Sequence, residues 1–261
     1  MVVTRFRAFQ YLGFLLFLLC SLNLTAKGWK DKPYLEWTRE NCLKIINHSP
    51  WVYISNTPFS GTNLPLPEGE IWVRYPLIRI LSAEPIYRAQ LRLYSMNQNS
   101  EDSIQISDLK DERSMNDEQS AQARIQRLIK TDQADIRVAG DPNYIVISIS
   151  MHQIRLLTGG VHAVDEAVFP LPELDSIQPA AIIPITFLKT KTGKRVPLMR
   201  YRAPQQDKLG ALFYFSRTLA NGEPAINKAD KEVELETWIE GKKVLAKFNL
   251  SRMIYKGKLE I

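Results

Sequence analysis

E-V-E-L-E-T-W-I-E-G-K-K-V-L-A-K-F-N-L, Glu232–Leu250, alternates polar and apolar residues on both sides of a Glu240-Gly241 turn. A period of two predicts half-buried strands, here Glu232–Trp238 and Lys243–Leu250, joined as a hairpin. Ile182–Leu188, Val196–Arg202, Gly210–Ser216 and Met253–Ile261 carry the same signal and are set off by Gly, Pro, Asn or Asp. Residues 176–261 are therefore expected to be an antiparallel, β-sandwich-like domain. That is a scaffold, and it names no reaction.

Upstream, helices join the pattern. Thr38 is a predicted N-cap, and Cys42, Leu43, Ile45 and Ile46 share one apolar helical face. Trp37 is placed to staple that helix. Pro50 closes it, because proline has no amide hydrogen and biases Ser49 away from helical geometry. Trp51–Ser55 reads as extended. Ile71–Tyr75 and Leu77–Leu81 read as a strand pair, or as one strand interrupted at Pro76 on an edge or bulge. Ser82 is expected to cap a helix through about Ser95, with Pro85 in its first turn. Asn116 and Gln119 resemble a capping box ahead of an amphipathic face of Ala121, Ile125, Leu128 and Ile129. Tyr144–Met151 is the strongest strand of this half, and its nearly continuous apolar run predicts a central position. His152–Pro179 shows no clear period. The expected class is thus α+β: a helix-containing part with a mixed or antiparallel sheet over residues 27–175, then the strand-rich residues 176–261.

The first residues read as an address. Arg5 and Arg7 precede the apolar run Tyr11–Leu24, which suits a secretory leader and falls short of the ~20 apolar residues of a span. Residues 1–26 are expected to be a signal peptide cleaved after Ala26, which makes the protein exported, periplasmic or extracellular. If the leader stays attached, the chain is instead membrane-anchored. Leu19 before Cys20 departs from the small residue of a lipidation site. Without the leader only Cys42 remains of the two cysteines, so no internal disulfide forms. Stability must then come from core burial, for which residues 27–261 suffice. Removing Arg5 and Arg7 with the leader lowers the formal charge from +6 to +4, which is mild and is no signature of nucleic-acid binding.

Catalytic signals are sparse. The three histidines, His48, His152 and His162, lie in no H-E-x-x-H or Cys/His cluster, and there is no G-x-S-x-G elbow or phosphate-cradling glycine loop. His162, Asp165 and Glu166 form the candidate catalytic set. As a zinc site, His162 and Glu166 supply two ligands where three or four are needed, so no metal or other cofactor is expected. Cys42 with His48 or His152 is the minimal nucleophilic dyad, against which stands its place on an apolar helical face. Two binding candidates remain. Trp29, Trp37 and Trp51 offer an aromatic platform for a sugar or peptide, or else they lock the short helix onto the sheet. Lys189–Arg202 gathers Lys191, Lys194 and Arg195 with other basic residues around one hairpin. That patch suits anionic envelope polymers or lipid head groups, or it simply protects a sheet edge.

Five segments in this order also carry a resemblance: S-P-W (Ser49–Trp51), L-S-A-E-P-I-Y-R-A (Leu81–Ala89), F-L-K-T-K-T-G-K (Phe187–Lys194), A-L-F-Y-F-S-R (Ala211–Arg217) and M-I-Y-K-G-K-L-E-I (Met253–Ile261). Together they resemble a group of exported bacterial proteins with the same order of segments. The resemblance implies export and a β-rich C-terminal part, and it brings no activity, ligand or catalytic residue. The expected function is a non-catalytic envelope or secreted protein that binds another macromolecule, a protein or an envelope polymer. A hydrolase built on His162, Asp165 and Glu166 and a membrane-anchored assembly factor are the alternatives.

Overall fold

The computed structural model describes residues 28–56, 70–101, 141–157, 160–163, 172–205, 209–239 and 241–261. The leader and the helix expected around Ala121–Ile129 lie outside these residues. Helix α1, Arg39–His48, starts as anticipated. The Thr38 hydroxyl accepts from the Asn41 amide at 3.2 Å and the Asn41 side chain accepts from the Thr38 amide at 3.3 Å, so two orphan donors are satisfied reciprocally. Cys42, Ile45 and Ile46 are buried, whereas Leu43 is half-exposed. Helix α2, Glu84–Glu101, runs past its expected end. Ser82 does not cap it, because its hydroxyl is taken by the Val146 amide at 3.0 Å. The Glu84 amide instead donates to the Glu260 carboxylate at 3.3 Å, so an acid from the far end of the chain sits at the positive end of the helix.

The rest is a large antiparallel sheet. Its strands are β1 Val52–Ile54, β2 Glu70–Ile80, β3 Tyr144–Leu157, β4 Gly160–Ala163, β5 Phe187–Thr190, β6 Arg195–Arg202, β7 Ala211–Ser216, β8 Glu232–Ile239 and β9 Lys242–Asn249. The order across the sheet is β1-β2-β3-β7-β6-β5-β8-β9, with β4 paired to β3 beside that path. Tyr144–Ile149 of β3 pairs with Ser216–Ala211 of β7, so the parts expected on either side of residue 175 share one sheet and one core. Strand β6 makes the bend. Residues 195–197 pair with β5, and Leu198 and Arg200–Arg202 with β7, the register shifting at the unpaired Met199. A bulge of that kind re-aims a strand and increases local twist. The sheet curls towards a barrel, and Tyr53 of β1 packs on Phe248 of β9 with ring centres 6.4 Å apart.

Four segments differ from the sequence reading, each for a local reason. Ile182–Leu188 is not one strand. Pro179 and Pro184 occupy first turns, making Pro179–Ile182 a short α-helix and Ile183–Ile185 a 3-10 turn, and β5 begins only at Phe187. Met253–Ile261 is a tight hairpin, Ile254–Tyr255 (β10) against Lys258–Leu259 (β11), because Lys256 and Gly257 both take positive φ. Residues 70–80 form one continuous strand inside the sheet. Pro76 is tolerated there because its carbonyl accepts from Ser55 at the last rung with β1, where its missing N–H falls at the end of the ladder. Finally, His152–Leu157 continues β3 and Gly160–Ala163 folds back on it, so the segment without a period is partly a hairpin. Gly210, at φ +83°, lets the chain turn into β7; a Cβ there would collide with the Ile149 carbonyl.

Candidate functional site

The three tryptophans of the proposed platform do meet, but inside the protein. Trp37 and Trp51 are fully buried and Trp29 half-buried, with Trp29 at 5.5 Å from Trp37, 6.3 Å from Trp51 and stacked on Tyr255 at 6.1 Å. The Trp37 indole N–H donates to the Trp29 carbonyl at 2.9 Å, and that of Trp51 to the Glu260 carbonyl at 2.7 Å. Arg88, paired with Glu84 at 2.6 Å, covers the Tyr34 ring at the edge of this cluster. These aromatics fasten the N-terminal segment and α1 to the C-terminal hairpin. Burial raises the Tyr255 hydroxyl and the Glu260 carboxyl above their ordinary pKa values, as expected where water is excluded.

The basic hairpin is largely engaged as well. Lys194 Nζ lies 2.8 Å from the buried Asp230 carboxylate, which also accepts from Thr192 Oγ1 at 2.6 Å and from the Asn227 amide at 2.8 Å. Arg195 lies over the Phe187 ring, 3.6 Å from its centre. Lys191 remains exposed at the turn, its amide bonded to the Glu232 carbonyl. Burial pushes the Asp230 carboxyl up, but the bonds from Lys194, Thr192 and Asn227 outweigh it and hold the carboxyl below the usual range. A carboxylate with a depressed folded pKa adds stability that is present above its unfolded pKa and lost as pH falls through the folded one. Asp230→Asn is therefore expected to cost about 1–3 kcal/mol at neutral pH. The gap from wild type should narrow below about pH 4. Paired denaturant titrations across that range check both, and a pH-independent gap would contradict the assignment.

Of the catalytic candidates, His162 lies in β4 opposite Arg155, and Asp165 and Glu166 lie outside the described residues. Among the described residues no three His, Cys, Asp or Glu side chains are grouped to hold a metal ion. Cys42 is fully buried, and desolvation, only partly opposed by Arg92, pushes its thiol up to about 11. A thiolate nucleophile needs the opposite environment. Cys42 in the folded protein is expected to stay unmodified by a thiol reagent at pH 8 and to react fully once denatured; rapid native labelling would restore the dyad reading. An open depression beside α1 is lined by Arg39, Glu40, Leu43, Lys44, Asn47 and His48, and Cys42 is not part of that lining.

The surface that stands out is one the sequence reading did not single out. Ile185, Met199 and Trp238 are the large apolar side chains left 40%, 56% and 42% exposed among the described residues. Hydrogen bonds between the residues next to them bring the three close together, with Lys243 opposite Trp238 in the register. Thr186 and Thr237 face each other with hydroxyls 2.6 Å apart, so Ile185, the last residue of the 3-10 turn, and Trp238 each lie one residue beyond that contact. The Leu198 amide still bonds the Thr186 carbonyl at 3.1 Å, which sets Met199, at the bulge, beside Ile185. Buried and outward residues alternate along β5, β8 and β6 as far as the bulge, and Met199 at the bulge and Ile185 in the turn before β5 stand exposed at the end of that outer face. The next row holds Pro197, Phe187, Glu236 and Leu245, and the one after it Arg195, Lys189, Glu234 and Lys247. Lys243 pairs with Glu236 at 2.9 Å and Lys247 with Glu234 at 3.3 Å.

No helix among the described residues is long and apolar enough to cross a membrane. Set against protein-family models, curated proteins and solved structures, the chain matches none of them.

Proposed function

We propose that this is an exported, non-catalytic protein of the envelope or the secreted fraction, and that it binds a partner through the outer face of β6, β5, β8 and β9. The observation that carries the reading is the row Met199–Ile185–Trp238. Isolated surface apolar residues need no explanation, but three brought close together, with Phe187 and Leu245 half-buried in the next row, form a patch. The reading takes β5, β6, β8 and β9 as one leaf of a sandwich-like arrangement, turned over at the β6 bulge so that this face points away from the core. Chemistry is not assigned to the patch, since its outward groups are apolar or ion-paired and none is poised to move a proton.

A photo-crosslinking amino acid at position 199, introduced in the producing cell, tests the face. Adducts are expected from position 199 and not from the exposed position of Lys228. Equal yields from both positions, or none from 199, would remove the face from consideration. Export is tested by sequencing the N-terminus of the native protein. A start near Lys27 in the soluble exported fraction supports it, and an intact leader in the membrane fraction would favour the anchored alternative.

A further inference from the structure

We infer that the partner of this face is an anionic lipid surface, with Met199, Ile185 and Trp238 entering the head-group layer and the basic row lying against lipid phosphates. The inference rests on the reading of that face as the binding surface and adds its chemistry.

Size argues first. Four strands about 4.8 Å apart, with rows two residues apart along each strand, confine the two apolar rows to roughly 14 by 7 Å. A stable contact with a folded protein or a second copy takes about 800 Å² per partner, several times more. A bilayer requires no such complementary area, because a few apolar side chains gain free energy by entering it at any lateral position.

The order of the rows argues second. Over four residues of strand, about 14 Å, the face passes from Met199, Ile185 and Trp238, through Pro197, Phe187 and Leu245, to Arg195 and Lys189. The charged members of these rows, Lys243, Glu236, Glu234 and Lys247, close into two ion pairs and leave the excess positive charge in the last row. Peripheral segments bury their apolar side ~5–10 Å deep, so a protein seated by the first row brings the third to the level of the phosphates. Tryptophan is the side chain most at home at that boundary, with an apolar ring and a polar N–H. Trp238 also lies next to the β8–β9 turn.

Charge argues third. The acids of this face are Glu232, Glu234 and Glu236, and the last two are held by Lys247 and Lys243. Lys189, Arg195 and, at the adjoining turn, Lys191 stand in excess of them. With phosphates as counter-charges, the guanidinium of Arg195 keeps its place over Phe187 while its outer edge donates to lipid oxygens.

The test is co-sedimentation of the purified protein, as the cell makes it, with vesicles of phosphatidylcholine alone or mixed with phosphatidylglycerol. Binding is expected to the mixed vesicles only, and to weaken as salt rises. Lys189→Gln with Arg195→Gln is expected to lower affinity roughly 30-fold, about 5-fold per basic residue. Trp238→Ser with Met199→Ser is expected to lower it at least ~10-fold through lost apolar burial. Both pairs replace exposed side chains, and an unchanged unfolding curve confirms that each variant folds. Failure of the wild type to bind the mixed vesicles, equal binding to both kinds, or wild-type affinity in either variant would overturn the lipid assignment. Should position 199 then still crosslink to a protein or polymer in cells, the face stands with a different partner; if it crosslinks to nothing, both readings fall.

Discussion

Trp51→Ala is expected to destabilise the protein by about 4 kcal/mol, within the range for emptying a fully buried tryptophan site. The ring is completely enclosed, and its neighbour Trp29 is held in the same aromatic cluster and stacked on Tyr255, which limits collapse into the space. The substitution also strips the Glu260 carbonyl of its 2.7 Å donor and so loosens the residue whose carboxylate caps α2. Trp51→Phe refills most of the volume but leaves that carbonyl bare, and about 1–2 kcal/mol is expected for it. Urea titrations of the two variants separate packing from hydrogen bonding. A loss below about 1 kcal/mol for Trp51→Ala would show that the cluster does not fasten the ends of the chain.

The second large effect is expected at Arg79, a guanidinium buried in β2. It donates to the Ile46 carbonyl at the end of α1 at 3.0 Å, to the Asn47 side chain at 3.2 Å and to Ser150 Oγ at 3.4 Å. Its counterpart is the negative end of α1 rather than a carboxylate. Burial pulls its pKa down to about 10, which leaves it charged at neutral pH. Two effects oppose each other in Arg79→Met. Removing a desolvated charge is favourable, and replacing buried ions with apolar isosteres is often neutral. Here, however, the partners stay behind, and orphaned buried acceptors cost ~1–3 kcal/mol each. The second effect wins, and a net loss of about 3 kcal/mol is expected. Arg79→Lys is expected to lose nearly as much, because an ammonium cannot reach three acceptors in a fork. Wild-type stability in Arg79→Met would mean that the helix end does not need this contact.

Individual residues show why part of this was legible in the chain. Strands β8 and β9 were, because along E-V-E-L-E-T-W-I one face is buried and a period of two leaves no other register, and β7 was as an apolar run buried on both faces. The cap on α1 was equally plain, since Thr38 and Asn41 act within one turn. The fate of Ser82 was not. A hydroxyl before a helix is a sound cap, but a β3 amide arriving from residue 146 took it, and a glutamate from residue 260 took the vacated role. The tryptophans were visible as a cluster, while their burial depended on Tyr255 and Glu260 closing over them. For the candidate surface a signal existed, as Trp238 occupies the same parity as Glu232, Glu234 and Glu236 and so had to point outward. Ile185 and Met199 could not be added to it, one hidden by proline-driven turns and the other placed by a bulge.

The sequence by itself therefore determined the cap of α1, the strands β8 and β9 and the α+β class, because periodicity, caps and turn residues act over a few positions. Only the tertiary structure decided that β3 pairs with β7 to make one sheet, that Lys194 and the tryptophans are occupied, and that three apolar residues from β6, the turn before β5, and β8 stand side by side. Those outcomes depend on contacts between residues tens to hundreds of positions apart, whose free energy is settled by which partners the closed chain brings together.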